Sequence, residues 1–134
     1  MYLFDTNIFL EILLDQKQTL SCRKALAALD SDSPGWITGF SLHAIEAILG
    51  RNLRYRIPLE RFLRNLSENQ LLHRYDTTTE EEGEIASSMP RLKLDFDDAL
   101  QYYVARKERL TLVTLDRDFD KISDVKILKP YDFV

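Results

Sequence analysis

The chain has 134 residues, of which 45% are hydrophobic and 30% charged, and its formal net charge is −4. That size and balance predict one folded domain over residues 1–134 and exclude a disordered tail or an apolar membrane protein. The single cysteine, Cys22, excludes an internal disulfide, and with only His43 and His73 beside it the chain lacks a structural zinc ligand set. A net negative chain that handles nucleic acid needs a local basic patch or a metal ion to offset its acids.

The chain opens with Met1-Tyr2-Leu3-Phe4-Asp5, which has no basic segment before it and no long apolar stretch after it. No signal peptide is expected, and no run approaches the roughly 20 apolar residues of a membrane helix, so the expected location is cytoplasmic. Residues 2–4 read as a short buried strand ending at Asp5. Thr6 or Asn7 can cap a first helix, in which Ile8, Phe9, Ile12 and Leu13 recur at helical spacing. A second helix is expected over residues 19–30, with Leu20, Ala25, Leu26 and Leu29 inward. Pro34-Gly35 marks a turn, and Trp36-Ile37-Thr38 a second strand.

Ser41 can cap a third helix whose apolar stripe is Leu42, Ile45, Ile48 and Leu49. Pro58 suits the first turn of a fourth, with Leu59, Phe62, Leu63 and Leu66 inward. Leu71–Tyr75 reads as a third strand. Thr77–Thr79 followed by Glu80–Glu82 has the chemistry of a helix start. A further helix runs from Asp95–Asp98 to about Arg109. Leu112-Val113-Thr114 is a fourth strand and Val125–Leu128 a fifth. Strands alternating with helices predict an α/β fold with a parallel sheet covered on both faces. Such sheets bind ligands beyond the carboxyl ends of their strands, where Asp5 and Asp116 fall.

Four acidic positions stand out. Asp5 can be a helix cap or more than a cap. Glu46 borders an apolar stripe, where an ionised carboxylate needs a partner or a cation. Asp95, Asp97 and Asp98 crowd one helix start beyond what capping requires, and Asp98 can face inward from the first turn. Asp116 and Asp118 follow a buried strand. Four carboxylates gathered at one sheet end raise one another's pKa values unless a cation intervenes, and oxygen-only donors suit Mg²⁺ or Mn²⁺. Such ions activate water for in-line displacement at a phosphodiester.

The segments Phe4-Asp5-Thr6-Asn7, Ser41 through Glu46, Asp98-Ala99-Leu100 and Leu112 through Phe119 carry a resemblance to PIN-domain proteins, especially VapC-like toxin ribonucleases. The resemblance covers nearly the whole chain. It implies a PIN-like α/β/α sandwich with a central sheet of about five parallel strands, and a metal-dependent endoribonuclease. By motif position, Asp5 would be the central metal ligand, Glu46 and Asp98 would complete its shell, and Asp116 would serve a second ion or its waters. Thr6, Asn7, Ser41 and Thr114 would support them. Asp118 is an alternative fourth acid, and Asp97 competes with Asp98. A cognate antitoxin and a homodimer are also implied.

Residues 51–65 hold Arg51, Arg54, Arg56, Arg61 and Arg64 with Tyr55 interleaved, a candidate RNA contact or a solvated helix face. His43 and His73 have no evident partner. A haloacid-dehalogenase-type phosphatase needs an Asp where Asn7 stands, and a receiver domain needs an acid pair and a Lys that are not evident. A non-catalytic PIN-like interaction module and a housekeeping RNA-processing nuclease are the remaining alternatives.

Overall fold

The computed structural model describes residues 1–133. Five strands, β1 (Tyr2–Phe4), β2 (Gly35–Thr38), β3 (Leu72–Tyr75), β4 (Thr111–Val113) and β5 (Ile127–Leu128), form one sheet in the order β3-β2-β1-β4-β5. Every pairing is parallel, with Leu3 opposite both Trp36 and Leu112. Six α-helices cover it: α1 (Thr6–Leu13), α2 (Thr19–Ala27), α3 (Gly39–Leu49), α4 (Arg56–Glu68), α5 (Thr79–Leu92) and α6 (Phe96–Glu108). Among the described residues, no helix is long and apolar enough to cross a membrane.

The two-residue period of a strand divides the core between the faces of the sheet. Leu3 and Leu112 point into one cluster with Ile85 of α5 and Leu100 and Val104 of α6. Their neighbours Phe4 and Val113 point into the other, with Ile8 and Phe9 of α1, Cys22 and Ala25 of α2, and Ile45 and Leu49 of α3. All of these side chains are at most 2% exposed. β1 is central in the sheet, with Leu3 and Phe4 buried, and a single residue, Asp5, joins it to α1.

Local chemistry sets the helix boundaries. Asp5 itself caps α1, accepting from the Thr6 amide at 2.8 Å, in place of the expected Thr6 or Asn7. Thr38 caps α3 by accepting from Ser41 N at 3.0 Å, so the helix starts two residues before Ser41. Thr78 and Glu81 form a reciprocal capping box on α5. Pro58 falls in the first turn of α4, as its missing N–H allows.

Two expected core residues face solvent. Leu20 is 76% exposed, because α2 buries Cys22 and Ala25 and Leu20 lies roughly 140° round the helix from Ala25. Ile48 is 40% exposed on α3, where Ile45 and Leu49, one turn apart, take the contact with the sheet. α2 also ends at Ala27, three residues before the expected limit.

Candidate metal centre

Three chain segments leave the carboxyl edge of the sheet beside one another, because β1, β2 and β4 are adjacent and parallel. Asp5 follows β1, Thr38 ends β2, and Thr114 and Asp116 follow β4. They are joined by the start of α6, which follows α5 and carries Asp95, Asp97 and Asp98.

Asp5 is 6% exposed and held from three sides. Its Oδ1 accepts from Thr6 N at 2.8 Å, while its Oδ2 accepts from Thr114 Oγ1 at 2.7 Å and from Asn7 Nδ2 at 3.2 Å. Burial pushes the Asp5 carboxyl above the usual range and the neighbouring Asp116 charge adds to this, while the three hydrogen bonds pull the other way. Asn7 also accepts from Leu115 N at 3.3 Å, and Thr114 Oγ1 accepts from Asp116 N at 2.9 Å. The loop after β4 is therefore built onto the same groups that orient Asp5. Lys129 closes it from outside, donating through Nζ to Asp116 O at 3.0 Å and pairing with Asp120 at 3.2 Å.

Asp98 is also 6% exposed. Its carboxyl is pushed up to about 8, first by burial and then by the charges of Asp116, Asp97, Asp95 and Asp5. Carboxylate oxygens of Asp98, Asp116 and Asp118 all lie within 4.8 Å of one another, and those of Asp95, Asp97 and Asp98 do the same. Within the second group, Asp97 is raised to about 6 by burial and by a hydrogen bond shared with Asp95, whose own carboxyl that bond lowers. Asp98 is common to both groups. Four acids crowding it, with no lysine or arginine among its causes of shift, leave a proton or a cation to balance the charge. The donors are oxygen only, which fits Mg²⁺ or Mn²⁺ and not a thiolate or imidazole metal site.

Asp5 and Glu46 belong to neither group, although Asp5 lies near enough for its charge to act on Asp98. The Glu46 carboxylate meets His43 Nδ1 at 3.1 Å, one turn earlier on α3, and the Glu46 side chain is 36% exposed. It lines a groove with Leu42, Leu63, His73 and Arg74. The structure thus gathers Asp98, Asp116 and Asp118, sets Asp5 beside them through Thr114, and leaves Glu46 turned to His43. The reason is helical phase: Glu46 lies roughly 140° round α3 from Ser41, the residue that faces the carboxylates' supports.

Ser41 is a hub. Its Oγ accepts from Thr6 Oγ1 at 2.7 Å, Thr38 Oγ1 at 3.0 Å and Gln101 Nε2 at 2.7 Å. These bonds tie α1, β2 and α6 together behind the acids. Gln101 and Thr38 are 1% exposed and do not stand out in the sequence reading. The available signal was a Gln among Ala99, Leu100, Tyr102 and Val104, one turn after Asp98. Among the described residues, Gln101 Oε1 is the one buried side-chain atom left without a hydrogen-bond partner.

The basic stretch is exposed but partly engaged. Arg54 donates to the hydroxyl of Tyr55 at 2.6 Å and lies over its ring at 4.7 Å. Arg56 pairs with Glu60 at 2.8 Å, and Arg51 is exposed.

Comparison with known proteins places this geometry among relatives. The family profile of the PIN domain matches residues 2–125. No curated protein matches the chain. Among solved structures, the chain is similar to a toxin–antitoxin complex from Klebsiella pneumoniae, with 22% identity over 98% of each chain and a TM-score of 0.74. It is similar to VapBC2 from Rickettsia felis bound to a promoter DNA fragment, with 20% identity, 96% and 97% coverage and a TM-score of 0.71. It is also similar to Mycobacterium tuberculosis VapC20, a Sarcin–Ricin loop cleaving toxin, with 14% identity, 93% and 98% coverage and a TM-score of 0.75. At these identities the likeness is one of fold.

Proposed function

The chain belongs to the PIN-domain family, and from that premise we propose that it is a metal-dependent endoribonuclease acting as the toxin of a type II toxin–antitoxin pair. The observation that carries this reading is the buried Asp98, raised to about 8 amid Asp5, Asp97 and Asp116 at the carboxyl edge of the sheet. Structural rigidity alone gives no reason to bury so much like charge, whereas a divalent cation does.

In this reading Asp5, Asp98 and Asp116 hold Mg²⁺ or Mn²⁺, with Asp118 beside Asp116 as a further donor and Glu46 reaching in from α3 once it leaves His43. The ion supplies a water nucleophile at neutral pH and offsets charge on the phosphodiester. The chain's own contribution is positional. Thr114, Thr6 and Asn7 fix both oxygens of Asp5, and Ser41 with Gln101 locks α3 and α6 behind it. Arg51, Arg54 and Arg56 offer outer faces to an RNA backbone. The same reading takes residues 1–134 as a single PIN-like domain and gives it a cytoplasmic location. The toxin role and a cognate antitoxin are supported by the toxin–antitoxin complexes that share the fold, and the homodimer rests on the family resemblance alone.

The test is cleavage of labelled RNA by the purified protein with Mg²⁺, with Mn²⁺ and with chelator. Cleavage should require the ion, and Asp5→Asn should reduce it at least about a hundredfold, as expected for loss of a group stabilising the transition state, while the circular dichroism spectrum stays unchanged. Persistent cutting by Asp5→Asn, or cutting in chelator, contradicts the reading.

A further inference from the structure

Phe40, the second residue of α3, is 39% exposed and belongs to neither apolar cluster among the described residues. Its ring meets that of Phe96, with centroids 5.7 Å apart and planes inclined at 57°. Phe96 is half-buried and anchored against the core, and it sits between Asp95 and Asp97 in the first turn of α6. The next residue, Ser41, is hydrogen-bonded to Thr6, the residue after Asp5. An exposed aromatic ring therefore stands at the rim of the carboxylate pocket, held there by an anchored neighbour.

A cation accompanies it. Arg74, at the carboxyl end of β3, is 47% exposed and gives its Nε to Asp76 at 3.0 Å. Its Nη2 lies near the residue before Phe40, where a Cβ on Gly39 would be 3.2 Å from it, with the Asp76 carboxylate nearer still. The Arg74 Nε serves both oxygens of Asp76, while its Nη groups stay unbonded among the described residues. An open ring beside such a guanidinium can hold single-stranded RNA, with the base on the ring and its phosphate on the Nη groups. An apolar protein segment would use the ring alone. The chain's other arginine–aromatic pair, Arg54 and Tyr55, spends ring and cation on each other.

We propose that Phe40, braced by Phe96, is a substrate-positioning residue that stacks a base of single-stranded RNA beside the cleaved phosphate, with Arg74 holding an adjoining phosphate. This rests on the ribonuclease reading above and adds to it the residue that positions a base at the site of cutting. A base in a duplex has no free face to offer such a ring, so paired RNA is refused without any contact to its sequence.

The experiment uses the intact protein with Mg²⁺ and short single-stranded RNAs carrying one 2-aminopurine at successive positions, followed by stopped flow before turnover and by steady-state kinetics. Wild-type protein should quench one position, and Phe40→Leu, which keeps apolar bulk against Phe96 but lacks a π face, should lose that quench. KM should rise about tenfold in Phe40→Leu, the loss carried by one base–aromatic stack, with kcat changed less than about threefold. Phe40→Trp should restore both. Arg74→Gln should raise KM and flatten its dependence on salt. Wild-type cutting with unchanged KM and quench in Phe40→Leu overturns the stacking role alone. Equal cutting of duplex RNA overturns it too. A wild-type protein that cuts no RNA overturns the ribonuclease reading beneath it.

Discussion

Asp98 carries the most informative chemistry at the residue scale. Its carboxyl titrates ordinarily near 3.8 but is raised to about 8 in the fold. Between those values the folded protein keeps a proton that the unfolded chain has released, so rising pH weakens the fold. The contribution of this group to stability is complete below its ordinary value and is lost as pH approaches 8. Metal-free protein should therefore have a higher melting temperature at pH 5 than at pH 8. A divalent cation displaces the proton, so Mg²⁺ should raise the melting temperature more at pH 8 than at pH 5. A cation at a hundred times its dissociation constant stabilises by about 2.7 kcal/mol. Calorimetric scans at the two pH values, with and without Mg²⁺, check both signs. Glu46 allows a second test at this scale. If it turns from His43 into the metal shell, His43→Ala should lower the Mg²⁺ concentration that half-saturates cleavage and Glu46→Gln should raise it. Opposite shifts in two neighbours one turn apart are not produced by a general loss of stability.

The same residues show what a sequence can and cannot reveal. The placing of Asp5 and Asp116 at the carboxyl edge was legible from element order, since each follows a parallel strand, whereas Asp98 was marked only by the crowding of three acids at one helix start. The side to which Glu46 turns was not legible, since it depends on the choice between His43 and the acids, a contact between side chains. Gln101 and Thr38 were obscured for a related reason. Their role is a shared hydrogen bond to Ser41 across 60 and three residues, and only the folded arrangement brings the three together.

Elements were read well where burial is two-sided and less well where it is not. The strands declared themselves as short apolar runs, and α1 through its i, i+4 pairs. Leu20 and Ile48 misled because a helix stripe fixes the buried face only to within a neighbouring position. One element-scale constraint escaped the reading altogether. Gly35 opens β2 where a Cβ would lie 2.7 Å from Phe4 Cε2 and 3.0 Å from a Leu29 methyl, both in the core. No turn geometry demands glycine there; close packing does. Gly35→Ala should cost about 1–3 kcal/mol through overpacking, seen as a lower urea midpoint with an unchanged slope. An unshifted midpoint would mean that Phe4 and Leu29 can yield.

At the scale of the whole molecule, the parallel sheet makes the site. Strand order β3-β2-β1-β4-β5 sets three chain crossings side by side at one edge, and each delivers a polar or acidic residue. The net charge of −4 then finds a physical place: much of it is concentrated where a cation can cancel it. The measurement that bears most directly on this is the anomalous diffraction of crystals grown with Mn²⁺. The account predicts a peak bounded by Asp5, Asp98 and Asp116, absent in Asp5→Asn. Ordered crystals soaked at saturating Mn²⁺ with no peak there, or with manganese bound only elsewhere on the surface, would contradict it.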